Sequence, residues 1–551
     1  MDSFDLIVIG GGCNGTGIAR DAALRGLKVL LLEKNDFASG TTGASSGMIH
    51  GGPRYLMHEV GITKMACHDA GHILKIAPHL VFRIPFLVPV LKKDDPSLVA
   101  KIRLELVETF FELYDHYSPL KGGKIHTRLS TEEVKQLEPS LDPDVIGAIT
   151  FDEWGIDTHR LCVANALAAK ENGAVVFNHT EVLSLLKEGK SIVGVLAKQF
   201  VTGEEKEYYG KIVFNATGPW APRLAGMAGV SVKLRPAKGI HLIFDRRLTN
   251  MAIVAKCIDG RQIFINPHEN TTLLGTTDDD YYGDLDNIPV TEDEIEYLLQ
   301  AIETVYPEIR KARILSTWRG VRPTLYQDDR YEDNLSREHE VFDHEKNERV
   351  SGFLSMAGGK LSSYREMAEE ATDLVCKKLK VIAVCQTHLV PLPGGESLPD
   401  PHALAQKFKL DPYAARRLVY RQGQKAEEIL EKAKPDPEGA QILCPCEPVM
   451  KMEVRHVVQE EWAFTLSDIC RRTRLGQGPC QGALCLVPAV SCLREERSLT
   501  MTQVVDELKE TLEQGWRGRR VILKGTQLAQ EEINQTIYKG VLRVSEWGGD
   551  Q

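Results

Sequence analysis

The N-terminal pattern of apolar and polar positions predicts a strand, a turn, a helix and a second strand. Asp5 to Ile9 is a nearly continuous apolar run, as in a strand that is buried on both faces. Ile18 to Leu24 has the pattern of a helix that ends at Gly26, and Lys28 to Leu32 has the pattern of another buried strand. Parallel strands joined by a helix are typical of an α/β fold.

Three glycines occupy the turn between the first strand and the helix. Gly10, Gly12 and Gly15 fit the pattern G-x-G-x-x-G. In that pattern the first glycine permits a tight turn, the second lets the backbone approach a pyrophosphate, and the third lets the helix pack closely on the strand. Glu33 follows the second strand, where a carboxylate can accept hydrogen bonds from ribose hydroxyls. The unit predicts dinucleotide binding, and it does not separate NAD from FAD.

Three later segments favour FAD. A loop rich in small and hydroxyl residues runs from Asp36 to His50, and it suits an extended cofactor. A short apolar strand, Lys211 to Phe214, leads into an Ala-Thr-Gly turn, and a third glycine site precedes a helix predicted over Tyr364 to Leu379. That helix N-terminus can stabilise negative charge on a reduced flavin. The predicted cofactor contacts in these segments are Thr41, Thr42, Ser45, Ser46, Thr217, Gly218, Gly358 and Gly359.

The charge and hydropathy of the chain exclude several function classes. The sequence has 67 Lys and Arg against 77 Asp and Glu, a net charge of −10, which argues against nucleic acid as the principal partner. The longest apolar stretch, Leu80 to Leu91, contains an arginine and two prolines and is shorter than the ~20 residues that span a bilayer. We expect no transmembrane span and no secretory signal, and a cytoplasmic location that is compatible with peripheral attachment to the inner face of the membrane.

The 12 cysteines are unevenly distributed, since six lie between residues 444 and 492. Four of them form a C-x-C pair, Cys444 and Cys446, and a C-x4-C pair, Cys480 and Cys485. Four thiolates can bind either zinc or a [2Fe–2S] cluster. Three nearby arginines could raise the reduction potential of such a cluster by their charge or dock a partner protein. Alternatively, they form a solvated basic face. They are Arg471, Arg472 and Arg474.

Several longer motifs make the similarity specific. The segments RDAALRGLKVLLLEKNDFASGTTGASSGMIHGGPRYL, NATGPW, RGVRPT and GGKLSSYREMAE resemble FAD-dependent glycerol-3-phosphate dehydrogenases over about the first 380 residues, most of all the catalytic subunit of the anaerobic multi-subunit form. The cysteine pattern resembles the [2Fe–2S] domain of the bacterioferritin-associated-ferredoxin type. The resemblance implies oxidation of sn-glycerol 3-phosphate to dihydroxyacetone phosphate, with electrons passing through the cluster to partner subunits and membrane quinone.

The resemblance also implies a set of residues at the reacting site. Arg54 and Tyr55 lie in HGGPRY, Arg322 lies in GVRP, Lys360 lies in GGK, and His241 corresponds to the family's active-site histidine. Guanidinium groups and a lysine suit a phosphate dianion, and a histidine can accept the proton of the alcohol. Two alternatives stay open: Arg322 as a surface ion-pair partner, and His241 as a satisfied interior histidine.

The patterns together predict an α/β fold, α+β overall, of the two-dinucleotide-binding FAD type. The predicted domains are an FAD domain with an inserted mixed-sheet substrate domain (1–388), a linker and helical segment (389–440), a helical iron–sulfur domain (441–495) and a helical tail (496–551). Two other functions remain: a dehydrogenase of an amino acid or 2-hydroxy acid, and a non-catalytic electron-transfer subunit. A carboxylate substrate needs one arginine, so the combination of Arg54, Arg322 and Lys360 favours a phosphate.

Overall fold

The computed structural model describes residues 3–56, 59–92, 97–327 and 338–537. Its strands, in chain order, are β1 Ser3–Ile9, β2 Val29–Leu32, β3 Met48–Ile49, β4 Val81–Leu91, β5 Thr127–Ser130, β6 Val145–Ile156, β7 Val175–Phe177, β8 Thr180–Glu188, β9 Ser191–Gln199, β10 Glu205–Asn215, β11 Ala237–Phe244, β12 Ala252–Lys256, β13 Gln262–His268, β14 Thr271–Gly275, β15 Asp279–Asp280, β16 Ile314–Arg322, β17 His339–Asp343, β18 Phe353–Gly358, β19 Ile442–Cys444 and β20 Val449–Met450.

The α-helices are α1 Cys13–Leu24, α2 Val60–Ile76, α3 Ser97–Tyr114, α4 Thr131–Leu137, α5 Thr158–Glu171, α6 Ala221–Ala228, α7 Glu292–Glu303, α8 His344–Glu348, α9 Tyr364–Leu379, α10 Pro401–Phe408, α11 Pro412–Gln422, α12 Lys425–Ala433, α13 Lys451–Glu460, α14 Leu466–Thr473, α15 Leu486–Arg497, α16 Met501–Arg519 and α17 Gly525–Thr536. Helix α9 has the bounds that the sequence predicted. Within the described ranges, no helix is both long and apolar enough to cross a bilayer.

The first sheet carries the nucleotide fold. Strands β1, β2, β7, β10 and β18 are parallel to their neighbours, in the order β18-β10-β1-β2-β7. In the register, Ile9 is paired with both Leu32 and Asn215, and Asn215 is paired with Ser355. The carboxyl ends of β1, β2, β10 and β18 therefore meet at one edge, which is where open α/β sheets bind ligands.

The second sheet contains both parallel and antiparallel pairs. Along the chain, its strands lie in segments between the strands of the first sheet. It has ten strands drawn from residues 48–156 and 237–322. Its pairings are antiparallel except for β4 with β12. An apolar core between one part of this sheet and α7 includes Leu298 and Ile302, both fully buried. The α/β fold with an inserted mixed sheet is confirmed.

The C-terminal segments pack closely against the first 388 residues. Leu392, in the stretch rich in proline and glycine, is fully buried, and Arg20 donates to the carbonyl of Val390 at 2.5 Å. Further along, the tail helix α16 reaches the mixed sheet, where Thr317 Oγ1 donates to the carbonyl of Gly518 at 2.7 Å. The C-terminal region therefore contacts both sheets.

Buried ion pairs fasten the cysteine-bearing segment to the nucleotide fold. Arg472 is fully buried and binds Asp36 with both terminal nitrogens, at 2.7 Å each. Burial alone would raise the pKa of Asp36, and Arg472 instead holds it well below its usual range. A second buried pair joins Arg160 to Glu461. Arg471 also contacts Asp36, at 3.3 Å.

Two of the three arginines after Cys470 do not form the solvated basic face considered above. Arg472 and Arg474 are buried, and Arg474 forms an ion pair with Glu447, which is also buried. Neither forms part of a solvated basic face, because both guanidinium groups are enclosed by carboxylates of the same chain. The sequence pattern could not show this, since the partners lie up to 436 positions away.

Removal of the Arg472 side chain is expected to be strongly destabilising. The variant Arg472→Ala leaves the buried Asp36 carboxylate without its bidentate partner, and we expect a loss of about 3–5 kcal/mol in the free energy of unfolding. Urea denaturation followed by tryptophan fluorescence measures it. The control is Lys407→Ala, since Lys407 pairs with Glu427 at a half-exposed, solvent-screened site and should leave the free energy of unfolding nearly unchanged. Equal losses in the two variants would contradict the assigned role.

Candidate active site

A large cavity of about 1900 Å³ lies at the shared edge of the parallel strands. Small-molecule pockets commonly measure roughly 300–1,000 Å³, so this cavity has room for a large cofactor together with a substrate. Eleven of the predicted cofactor residues line it: Gly10, Gly12, Glu33, Thr41, Thr42, Ser45, Ser46, Thr217, Gly218, Gly358 and Gly359. These residues come from five separate stretches of the sequence, which the fold brings together.

The first glycine turn is too tight for any side chain at two positions. A Cβ on Gly15 would lie 1.9 Å from the carbonyl oxygen of Gly10, because helix α1 begins directly against the end of β1. A Cβ on Gly10 would lie 2.5 Å from the carbonyl oxygen of Ala216, and Gly10 has a φ of +114°. Gly15 itself does not line the cavity and acts through this packing. The result is a close approach of backbone to the cavity at the N-terminus of helix α1, the kind of place where a pyrophosphate binds.

Glu33 is held in place by two backbone donors. Gly11 N donates to one carboxylate oxygen at 2.6 Å, and Asn35 N donates to the other at 2.8 Å. Burial raises the pKa of this carboxyl group. Glu33 also lines the cavity.

The second and third glycine turns are also fixed locally. Asn215 accepts from both the backbone and the hydroxyl of Thr217, and it donates to Ser355 on the neighbouring strand. Gly358 and Gly359 each have a φ of +82°. A Cβ on Gly358 would lie 2.3 Å from the carbonyl oxygen of Glu338. These turns therefore present backbone rather than side chains to the cavity.

The residues predicted to bind a phosphate converge on the same cavity. Tyr55, Arg322 and Lys360 line it, and the Lys360 ammonium lies 4.0 Å from the centre of the Tyr55 ring. Arg322 donates to Asp278 at 2.7 Å and to the hydroxyl of Thr276 at 3.2 Å, which fixes the plane of its guanidinium. The side chain of Arg54 lies outside the described residues.

The turn that carries Tyr55 is positioned by a buried polar cluster. Gly51 N donates to Glu153 at 3.2 Å, and the same carboxylate accepts from Tyr114 at 2.6 Å and pairs with Lys121 at 2.8 Å. A Cβ on Gly51 would lie 2.2 Å from the Tyr114 hydroxyl oxygen. The turn therefore lies directly against this cluster, with no room for a side chain at Gly51.

His241 lies behind the wall of the cavity rather than in it. Its Nε2 shares a hydrogen bond of 2.8 Å with the hydroxyl of Ser46, which does line the cavity. Burial, together with the charge of Arg322, lowers the pKa of His241 to about 3. The imidazole is thus neutral at physiological pH, and it reaches the cavity only through Ser46.

Several cavity residues were not singled out by the sequence patterns. They include His50, Arg103 and Arg261, whereas Thr276 and Asp278 belong to the GTTD segment that the sequence marks as a turn, either near the flavin or without further role. His50 begins the same HGGPRY motif that supplies Tyr55, so its position in that motif was an available signal. Arg261 donates to the carbonyl of Asp278 at 2.8 Å, a contact between a hairpin and a distant turn that no local pattern shows.

The four cysteines form two close pairs. The sulfur atoms of Cys446 and Cys480 are 3.6 Å apart, and Cys444 contacts Cys485 through a thiol hydrogen bond that lowers the pKa of Cys444 to about 6. Among the described residues, no three cysteine sulfurs lie within 4.8 Å of one another. Gly478 lies against Cys446, where a Cβ would come within 2.3 Å of the cysteine Cβ. The quartet is thus divided into two pairs.

Comparison with known proteins places this geometry in a family. The sequence of residues 5–365 matches the protein-family model for FAD-dependent oxidoreductases. Residues 385–499 match the family model for the C-terminal domain of alpha-glycerophosphate oxidase. A protein of Haemophilus influenzae, named as one subunit of anaerobic glycerol-3-phosphate dehydrogenase, is 35% identical over 99% of this chain and 94% of its own length. The chain belongs to the FAD-dependent glycerol-3-phosphate dehydrogenase family.

Two further members of the family show how far the similarity extends. The corresponding subunit from Escherichia coli K12 is 34% identical over 98% of this chain and 97% of its own length. The glycerol-3-phosphate dehydrogenase of Bacillus halodurans, solved in complex with FAD, has a TM-score of 0.75 at 27% identity and covers 95% of this chain and 96% of its own. The similarity thus includes the C-terminal segments, and the chain is a flavoenzyme.

The tight packing at Gly15 predicts a loss of cofactor on substitution. In Gly15→Ala the new methyl group collides with the Gly10 carbonyl, and we expect FAD content after purification to fall at least about tenfold, since the displaced turn loses its close approach to the pyrophosphate. The ratio of flavin to protein absorbance measures it. Gly226→Ala is the control, because nothing lies within 4 Å of a Cβ there. Full flavin occupancy in Gly15→Ala would contradict the prediction.

Proposed function

We propose that the enzyme oxidises sn-glycerol 3-phosphate to dihydroxyacetone phosphate and passes the electrons to a partner protein through a [2Fe–2S] cluster held by its C-terminal cysteines. The convergence of Arg322, Lys360 and Tyr55 on the cavity that the glycine turns line is the main support for the substrate. The names of the relatives support the same substrate.

In this proposal the substrate phosphate lies against Arg322 and Lys360. A guanidinium presents a planar fork to phosphate oxygens, and an ammonium adds a compact charge. Asp278 fixes the orientation of Arg322, so that little side-chain entropy is lost when the phosphate binds. A neutral alcohol or an amino acid lacks the dianion for this pair, so both are expected to bind more weakly.

The chemistry at the alcohol carbon requires one hydride acceptor and one proton acceptor. FAD, when bound along the glycine turns, supplies the hydride acceptor. The proton of the hydroxyl leaves toward the Ser46–His241 pair or toward His50, which lines the cavity directly. Because the pKa of His241 is lowered to about 3, this ring is a weak base, and we assign it the positioning of Ser46. His50 is the candidate that faces the substrate.

The cysteine geometry supports a two-iron cluster over a structural zinc. Four sulfurs around one tetrahedral zinc all lie about 3.8 Å from one another, so any three of them would satisfy the 4.8 Å limit given above. A [2Fe–2S] cluster instead places two thiolates on each iron, and the quartet here is divided into two close pairs.

The exposure of the pairs suggests the direction in which electrons leave. Cys444 and Cys485 are fully buried, whereas Cys446 and Cys480 are partly exposed. The carbonyl of Cys446 accepts from Asn270 at 3.0 Å, and Asn270 lies at the exposed turn between β13 and β14. Those two strands extend to Phe264 and Thr276 at the cavity. One hairpin therefore contacts both the proposed cluster site and the flavin site.

We propose partner subunits that receive these electrons and deliver them to membrane quinone. The partly exposed Cys446 and Cys480 give an acceptor protein access to one side of the cluster. The relatives are named as one subunit of an anaerobic dehydrogenase, which supports an assembly of several chains. On this proposal the enzyme works at the inner face of the membrane through its partners.

Anaerobic sn-glycerol 3-phosphate is expected to bleach the flavin absorbance of the wild-type enzyme. In Arg322→Ala the concentration that gives half-maximal bleaching should rise by about 100-fold, because a charge-assisted hydrogen-bond pair to the phosphate is lost. A stopped-flow titration measures both results. Arg246→Ala, at an exposed position, serves as the control. Absence of bleaching in the wild type would refute the substrate, and an unchanged half-maximal concentration would remove Arg322 from the site.

Removal of one cysteine is expected to abolish the cluster. Cys480→Ser should lower bound iron from two per chain toward zero and remove the reduced-cluster EPR signal, because one iron loses a thiolate ligand. Iron analysis and EPR after dithionite reduction measure this. Cys492→Ser is the matched control, since Cys492 is buried outside the quartet. Zinc in place of iron in the wild type, or intact iron in Cys480→Ser, would overturn the assignment.

A further inference from the structure

Three histidines form a cluster on the surface, away from both sites described above. His68 and His72 lie on helix α2, and His388 lies in the segment that follows helix α9. The ring centres of His68 and His72 are 4.6 Å apart, and those of His72 and His388 are 5.3 Å apart. Within the described part of the chain, no hydrogen bond or ion pair engages the ring nitrogens of these three residues.

We propose that His68, His72 and His388 form a binding site for a divalent transition-metal ion. The two helical residues have the spacing H-x3-H, which places both imidazoles on one face of a helix, one turn apart, as in helical zinc sites. Imidazole nitrogens are the ligands that Zn²⁺, Cu²⁺, Ni²⁺ and Co²⁺ accept readily.

The ring separations match those of rings that share one metal. With a metal–nitrogen distance of about 2.1 Å, two imidazoles at tetrahedral or right angles have their centres about 5 Å apart. Both measured separations lie close to that value. The ring nitrogens do not yet converge, since no group of three histidine nitrogens lies within 4.8 Å in the described residues. His68 is exposed, so its ring can rotate toward the other two at little cost.

The residues around the three histidines indicate which metal ions could bind, and they exclude hydrolytic catalysis at the site. The acidic residue of the HDAGH segment, Asp69, is buried and bound to Arg365 at 2.6 Å, so it cannot act as a general base on a metal-bound water. Arg365 and Lys75 add positive charge near His72, and the Glu369 carboxylate, which lies near His388, is paired with Arg365 at 2.6 Å. Such a site disfavours Ca²⁺ and Mg²⁺, which need oxygen ligands, and favours ions that bind neutral imidazole.

The position of the site suggests what the metal would do. Helix α2 follows the turn that carries Tyr55, and Thr63 on α2 donates to the carbonyl of Gly52 at 3.5 Å. Helix α9 follows Lys360, and its first turn donates to Asp69 of α2. A metal bound by His72 and His388 would fasten α2 to the segment after α9. It would therefore stabilise the two elements that border the phosphate site, without touching the substrate.

The test is a Co²⁺ titration of the untagged, FAD-loaded enzyme, followed by visible absorption and by calorimetry. We expect one Co²⁺ per chain with d–d bands and no thiolate charge-transfer band, and a rise in the thermal midpoint. His72→Ala and His388→Ala should each weaken the binding by more than about 100-fold and remove that rise. His116→Ala, at an exposed histidine outside the cluster, should bind as the wild type does.

Two results would overturn the proposal. Co²⁺ binding with equal stoichiometry and affinity in the wild type and in His72→Ala would place the metal elsewhere. Loss of binding in His72→Ala with no change in His388→Ala would reduce the site to a helical pair and refute the bridge between α2 and the segment after α9. Flavin absorbance of each variant confirms that the fold is intact, since neither substitution touches the cofactor cavity.

Discussion

The parallel pairing of β1, β2, β10 and β18 is the constraint on which the active site depends. These strands are separated by up to hundreds of residues in the chain, and their register brings the residues that follow each one to a common edge. A side chain at Gly10 would force the end of β1 away from the end of β10. A side chain at Gly15 would force helix α1 away from the end of β1. The cavity exists because backbone meets backbone at this edge, so that a cofactor can approach the turns without meeting side chains at these glycines.

Buried ion pairs determine how the C-terminal segments dock on the rest of the chain. Arg472 with Asp36, Arg160 with Glu461, and Arg421 with Glu453 are all buried, and the first two cross between the nucleotide fold and the cysteine-bearing segment. Pairs of this kind add little net stability when compared with apolar packing, but an unpaired member is costly. Their main effect is therefore to select one docking arrangement, because any other arrangement would leave a buried charge unpaired. Their contribution to the net stability of that arrangement is small. That arrangement holds Cys446 against the hairpin that extends to the flavin cavity.

The sequence predicted the elements and motifs that depend on local patterns. The bounds of α9 and the glycine turns follow from periodicity and from the backbone demands of glycine, whereas the inserted mixed sheet follows from the resemblance to the family. The positions of His241 and of the arginines after Cys470 could not be predicted in this way. An alternating strand shows that His241 is on one face, but only the fold shows that Ser46 stands between it and the cavity. The partner of Arg472 lies in a loop near the N-terminus, beyond the reach of any local signal.

The contact between Arg472 and Asp36 has a consequence for biosynthesis. Asp36 opens the loop that lines the cavity, and its guanidinium partner is translated 436 residues later. Domains generally fold as they emerge from the ribosome, with the N-terminal part first. The nucleotide fold can therefore form before Asp36 meets Arg472, and until then the carboxylate lacks its bidentate partner. The ion pair that buries Asp36 is completed only once the cysteine-bearing segment has been synthesised.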